Sequence, residues 1–285
     1  MRWPDLDSPL SQLEEFWRDR QQFLQQRGYL LRPRFRPDWK PSWKGTGLCH
    51  CPWNIDDFLF NPRPDLIDAV SIADDLKVVL KLVETSREEI PIARYLSSAS
   101  LRSGSRNRTV PILDVIPLPD TDDKALLVMP LLRHFEDPPF SYVCEVVEAV
   151  RQLLQGLEFM HEHNISHCDA CWYNIMMDSS NLIPEGFHYA SDERHDDLTL
   201  ISFRGRSRKA VAPVQYYFID FGLSRHFKSF EDRIYLEGRV GQNKEVPEFI
   251  KDIPFDPFKL DIYQFGAVIS SLFPVCCVIF FSREK

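Results

Sequence analysis

The residues most able to do chemistry in this 285-residue chain fall in two short stretches. One runs His161-Glu-His-Asn-Ile-Ser-His167-Cys168-Asp169-Ala-Cys171-Trp-Tyr-Asn174, and the other Tyr217-Phe-Ile-Asp220-Phe221-Gly222. Two chemistries compete for them. Three histidines and a Cys-x-x-Cys pair could bind zinc. Zinc sites, however, use two separated ligand pairs, and the remaining cluster, Cys49-His50-Cys51, lacks the Cys-x₂₋₄-Cys spacing. Phosphoryl transfer accounts for more of the pattern. It needs a carboxylate to accept or orient a hydroxyl proton, and an amide with a second carboxylate to hold magnesium on phosphates. His167-x-Asp169-x₄-Asn174 followed by Asp220-Phe221-Gly222 supplies these types in order, each at the end of an apolar run.

Several elements must position these groups. Leu66–Val70 and Lys77–Val83 read as strands with a turn at Ala73-Asp74-Asp75, and the second carries Lys81. A helix over 86–97 follows. Within it Glu89 is the best partner for Lys81, because Ile92 and Leu96 then fall at +3 and +7 on the packed face; Glu88 is the reserve. Val110–Pro117 and Lys124–Leu131 read as strands. A long helix covers about 141–163, with Val143, Val147, Val150, Leu154, Leu157 and Met160 at helical spacing. Upstream, residues 8–27 read as an amphipathic helix with Ser8 as N-cap and Pro9 at the first position. The basic, aromatic stretch Arg32–Lys44 could clamp single-stranded nucleic acid. The acidic total (34 − 42 = −8) favours an arm laid over the body, its aromatics buried and its charges solvated.

This set resembles a protein kinase. Lys81 stands in a Val-Val-Leu-Lys run, Val246-Pro247-Glu248 where Ala-Pro-Glu closes an activation segment, and Asp261-Ile-Tyr-Gln-Phe-Gly266 at the start of the central helix. Trp39-Lys-Pro-Ser-Trp-Lys-Gly-Thr46, Val128–Arg133, Phe159–His163, Asn174–Asp178 and Tyr217–Arg225 are similar to the kinase-like family expanded in basidiomycete fungi, over about residues 10 to 266. The resemblance implies an α+β, two-lobed fold. An N-terminal helix and basic arm would occupy 1–50, a strand-rich N-lobe 51–130, and a helical C-lobe 131–285 with an insert at about 179–213. It implies ATP with magnesium and a protein substrate of unknown identity, phosphorylated on Ser or Thr. Asp169 would be the catalytic base, with Lys81 on the phosphates and Glu89 positioning Lys81. Asn174 and Asp220 would bind magnesium. Val79, Met129, Pro130 and Leu132 would line the adenine, using the Pro130 carbonyl and the Leu132 N–H. His167, Phe221, Gly222, Glu248 and Asp261 would support this geometry.

The chain also departs from that pattern. No Gly-x-Gly-x-x-Gly precedes Lys81; Gly45 and Gly47 are 36 and 34 residues upstream, too far for the hairpin that feeds its strand. Val79 replaces a small alanine. Cys168 and Cys171 stand where an arginine and a lysine are usual, which removes charge near the transferring phosphoryl. Asn174 and Asp220 are 46 positions apart, so a mobile surface loop is expected between them. Only 19 residues follow Gly266, where more helices are expected, leaving Glu248 without its arginine and apolar surface for a partner to cover. The alternative is therefore a pseudokinase, a nucleotide-binding or scaffolding module without turnover.

Composition limits the rest. Apolar residues at 44% and charged residues at 27% are globular, and the net charge of −8 argues against a nucleic-acid partner. Seven cysteines without regular spacing and a polar N-terminus point to an intracellular, cytoplasmic or nuclear protein. Residues 265–281 carry no charge over 17 positions, but that is short of a span and contains Pro274, so no membrane partner is expected.

Overall fold

The computed structural model describes residues 10–42, 55–61, 63–203 and 206–281. The chain opens with helices α1 (Gln12–Arg18) and α2 (Gln21–Gln26). The expected single helix is broken at Asp19-Arg20, and α1 is capped by Ser11, while Ser8 and Pro9 lie outside the described residues. Ser11 Oγ accepts the Glu14 N–H at 3.3 Å, while the Glu14 carboxylate accepts the Ser11 N–H at 3.0 Å. This reciprocal pairing satisfies two N–H groups that the first turn leaves open.

Five strands follow: β1 (Tyr29–Leu31), β2 (Leu66–Ser71), β3 (Lys77–Glu84), β4 (Asp114–Pro117) and β5 (Lys124–Pro130). They form one antiparallel sheet in the order β1-β2-β3-β5-β4. Between β3 and β4 lie α3 (Glu89–Leu96) and α4 (Ala99–Arg102). One sheet face carries Ile67, Ala69, Val78, Leu80, Leu126 and Val128, and packs against Trp17, Leu24 and Phe35 from the N-terminal segment. Alternation along β2 and β3 leaves Asp68, Val79 and Lys81 on the other face.

Strand β1 was not foreseen. The β1–β2 connection runs from 32 to 65 and so includes positions 45 and 47. Gly45, Gly47 and Cys49-His50-Cys51 lie outside the described residues. The arm itself covers the body as expected, with Phe35 fully buried. Its charges are not all solvated: Arg34 pairs with buried Glu14 at 2.6 Å, and Arg32 with Asp68 at 3.0 Å.

The second half contains β6 (Arg133–His134), α5 (Val143–Glu162), β7 (Ile165–Ser166), β8 (Ile175–Met177), β9 (Tyr216–Phe218), β10 (Arg225–His226), α6 (Pro247–Lys251) and α7 (Pro257–Phe281). Strand β7 pairs with β10, and β8 lies between β6 and β9. Helix α5 buries Val146, Ala149, Leu153, Leu157 and Met160. The sequence stripe was thus rotated by about one position, since Val147 and Leu154 are exposed. The small residues Ala149 and Gly156 hid the true inner face from a count of large apolar residues. Among the described residues no helix is long and apolar enough to cross a membrane.

Candidate active site

Lys81 sits on the face of β3 opposite the N-terminal helices. Its ammonium donates to Glu89 at 2.6 Å and to Asp220 at 2.8 Å. Glu89 opens α3 and is buried, because Ile92 and Leu96 on the same face are packed into the core. The reserve residue Glu88 points elsewhere and accepts the His226 N–H at 3.2 Å. Burial alone would lower Lys81, but the Asp220 and Glu89 carboxylates outweigh it and hold the amine above its ordinary range. Burial raises Glu89 more than Lys81 lowers it, so that carboxyl lies above its usual range. Asp220 goes the other way. Burial is overcome by Lys81 and by the Gly222 N–H, and the carboxyl lies below the usual aspartate range. Gly222 leaves room for this cluster: a Cβ would stand 3.1 Å from Asp220 Oδ1 and 3.3 Å from Glu89 Oε2, and these side chains would have to give way.

The loop that carries His167, Cys168 and Asp169 is positioned by α7. Asp261, fully buried, accepts the backbone N–H of His167 at 2.8 Å and of Cys168 at 2.6 Å. It also meets His161 Nε2 at 2.8 Å. These bonds hold Cys168 in a left-handed conformation (φ 62°), which side-chain-bearing residues adopt at a cost. His167 Nε2 lies 3.0 Å from the Ile219 carbonyl, and its ring packs on Phe221 with centroids 5.4 Å apart. The loop is thereby tied to the residue preceding Asp220.

Asp169 is nearly buried. Its Oδ2 accepts from Asn174 Nδ2 at 2.9 Å and from Gln242 Nε2 at 3.3 Å, and its Oδ1 accepts the Gln242 N–H at 2.8 Å. Gln242 and Gly241 were missed in the sequence because no spacing rule linked them to Asp169. Gly241 has φ +72°, and a Cβ there would stand 2.5 Å from Asp169 Oδ1. Gln264 was missed too; it accepts the Ala170 N–H at 3.0 Å. Gly241 and Gln242 lie in no motif, and Gln264 lies inside the Asp261–Gly266 motif but was given no role there.

Cys168 and Cys171 flank the aspartate. Burial first, then Asp261 for one and Asp169 for the other, pushes both thiols up to about 12. They stay protonated at neutral pH and supply neither a thiolate ligand nor a positive charge.

Asn174 and Asp220 come together because β8 and β9 are paired, and the Ile219 N–H donates to the Asn174 carbonyl at 3.0 Å. Asn174 spends its amide nitrogen on Asp169, while its Oδ1 and Asp220 Oδ2 make no hydrogen bond among the described residues. Two hard oxygen donors of this kind fit a magnesium ion.

The residues expected to line an adenine are less uniform. Val79 faces Met129 across β3 and β5 and Asp68 across β2, so all three share one sheet face. Beside Val79 the sheet thus carries the Arg32–Asp68 ion pair, a polar feature that the sequence did not disclose. Leu131 N–H donates to the Lys77 carbonyl at 3.0 Å, whereas Leu132 N–H has no such partner among the described residues. Glu248, expected buried, is only half-buried and has no ion pair among the described residues.

No family model matches the chain. It is similar to the serine/threonine-protein kinase HAL5 of Saccharomyces cerevisiae (strain YJM789), 25% identical over 127 residues, or 43% of this chain and 11% of that protein. A light-sensor protein kinase of Ceratodon purpureus is 27% identical over 164 residues, 54% of this chain and 11% of its own length. A HAL5-like serine/threonine-protein kinase of Vanderwaltozyma polyspora is 25% identical over 185 residues, 64% of this chain and 19% of its own. The chain therefore spans less than a fifth of these curated relatives, whose names support a protein-kinase-family function.

Proposed function

We propose that this chain is an ATP-dependent phosphotransferase with the two-lobed layout of the protein kinases, acting on Ser or Thr hydroxyls of protein substrates. The lobes meet near residues 130–131, and within the superfamily the chain resembles the basidiomycete kinase-like group. One observation carries the reading: Lys81 of the sheet half bridges Glu89 and Asp220, and β8–β9 pairing sets Asp220 beside the Asn174 that holds Asp169.

In this reading Lys81, held cationic by its two carboxylates, binds phosphate oxygens, and Glu89 fixes its direction. Asn174 Oδ1 and Asp220 Oδ2 hold magnesium, which when bound neutralises charge on the phosphates. Asp169 accepts the proton of the attacking hydroxyl, with Asn174 and Gln242 fixing its orientation. Val79, Met129 and the Pro130–Leu132 backbone receive the base. Phe221, packed on the His167 ring, keeps the two segments together.

A second reading, nucleotide binding without turnover, draws on Cys171. A neutral thiol beside Asp169 leaves the transferring phosphoryl without the cation usual there. Thermal shift with Mg-ATP and radiolabelled phosphate transfer to a mixed protein substrate distinguish the two. Wild type should show both signals, Lys81→Met neither, and Asp169→Asn only the thermal shift. Binding without transfer in wild type would establish the second reading, and no binding in a folded sample would defeat both.

A further inference from the structure

The segment between β8 and β9 was expected to be a mobile loop, but it is anchored in both halves of the molecule. Leu182, Ile183 and Phe187 are buried in the main core, which also takes in Val83 and Leu127 of the sheet, and on the helical side Arg208 donates to the Phe135 carbonyl at 3.0 Å. On the sheet side, Lys77 at the start of β3 donates to the Phe187 carbonyl at 3.0 Å and pairs with Asp196. His188, almost fully buried, meets Asp56 of the β1–β2 connection at 2.8 Å. Between these anchors Arg133 donates to the Asp192 carbonyl at 2.6 Å and lies over the Phe187 ring. Lys77 also accepts the Leu131 N–H through its carbonyl, so the crossing sits beside the link that joins the two halves.

The way the crossing is built matters as much as its position. A cavity of about 360 Å³, bordered by Arg32, Asp68, Leu131, Tyr189 and Asp196, lies between the segment and the sheet. Around that space polar points alternate with apolar walls at Leu30, Leu31, Val70, Leu131 and Phe187. The Lys77–Asp196 pair is partly exposed, and such pairs are individually weak, whereas His188 meets Asp56 from a nearly buried position.

We propose that residues 187–196 form a releasable clasp, which holds the sheet and helical halves at one opening and must let go for nucleotide to enter or leave. The exchange role rests on the nucleotide-binding reading above; the clasp itself does not. It is tested in the full chain carrying spin-labelled p-acetylphenylalanine in place of exposed Leu113 in the sheet half and Ile250 in the helical half. Pulsed electron-electron distance measurement should give one narrow distance in the parent protein. His188→Ala/Asp196→Ala should add a second, longer distance, and Lys77→Met, which cuts the crossing from the other side, should do the same. The release rate of a fluorescent ATP analogue should rise ~5-fold or more, the scale expected for losing one weak pair. An unchanged single distance in both variants would overturn the clasp. A new distance with an unchanged release rate would overturn its role in exchange. A parent protein that binds no analogue would defeat the nucleotide reading, with the distances still deciding the clasp.

Discussion

Asp261 and Lys81 each draw distant segments together, but with different chemistry. Asp261 is a fully buried carboxylate whose partners are two backbone N–H groups and the His161 ring. Lys81 is a cation whose partners are two carboxylates, one of them partly open to solvent. The first arrangement has fixed donors, needs no change of charge and belongs to the scaffold. The second is a set of charges that a ligand phosphate can enter and rearrange. The loop carrying Asp169 is thus built to stay still, and the Lys81 cluster to respond.

The largest effect should come from breaking the scaffold. Asp261→Ala leaves two buried N–H groups unpaired together with His161, and should cost about 3–5 kcal/mol in urea unfolding. A loss below about 1 kcal/mol would mean that the loop is held by something else, and the contrast with Lys81 would fail.

A smaller, more local effect is expected at Gly241. Gly241→Ala puts a methyl 2.5 Å from Asp169 Oδ1 and strains a positive φ, so it should displace Gln242 from the carboxylate. Phosphate transfer should fall roughly tenfold or more while the Mg-ATP thermal shift stays near wild type. Equal loss of both would show that the segment supports the nucleotide cluster as well.

The smallest effect is in pH dependence, and it separates the two clusters directly. Asp220 is depressed below its ordinary 3.8, so its contribution to stability is present above that pH and is lost as pH falls through the lower folded value. Lys81 is raised above its ordinary 10.5, so its contribution is present below that pH and is lost as pH rises through the folded value. Lys81→Met should therefore flatten both ends of a urea-stability profile, below about 3.8 and above about 10.5. Profiles that superimpose would remove the charge argument for this cluster.

Much of the site could be read in the chain because its parts sit in short, ordered motifs. Lys81 lies within an apolar strand and Asp169, Asn174 and Asp220 beside short ones; β8–β9 pairing joins Asn174 to Asp220, and the Lys81 ammonium reaches Asp220 across the two sheets. The choice of Glu89 over Glu88 was legible too, from the helical offset to Ile92 and Leu96. What failed was anything that depended on packing. The inner face of α5 was misplaced because Ala149 and Gly156 do not look like core residues in a list of apolar positions. Strand β1 was missed because three residues carry almost no period, and with it the membership of Gly45 and Gly47 in the β1–β2 connection. The insert was read as solvated because its charges were counted without their partners, which lie far away in the chain at Lys77 and Asp56.

By itself, then, the sequence determined which functional groups this protein owns, in what order, and on which kind of element each one rides. Side-chain chemistry and the two backbone periods are local properties, and they survive without a fold. Only the tertiary structure decided that Gln242 orients Asp169, that Arg32 and Asp68 stand beside Val79, and that the insert spans both halves. Each of those depends on which distant residue fills the space next to a given atom, and sequence separation holds no record of that.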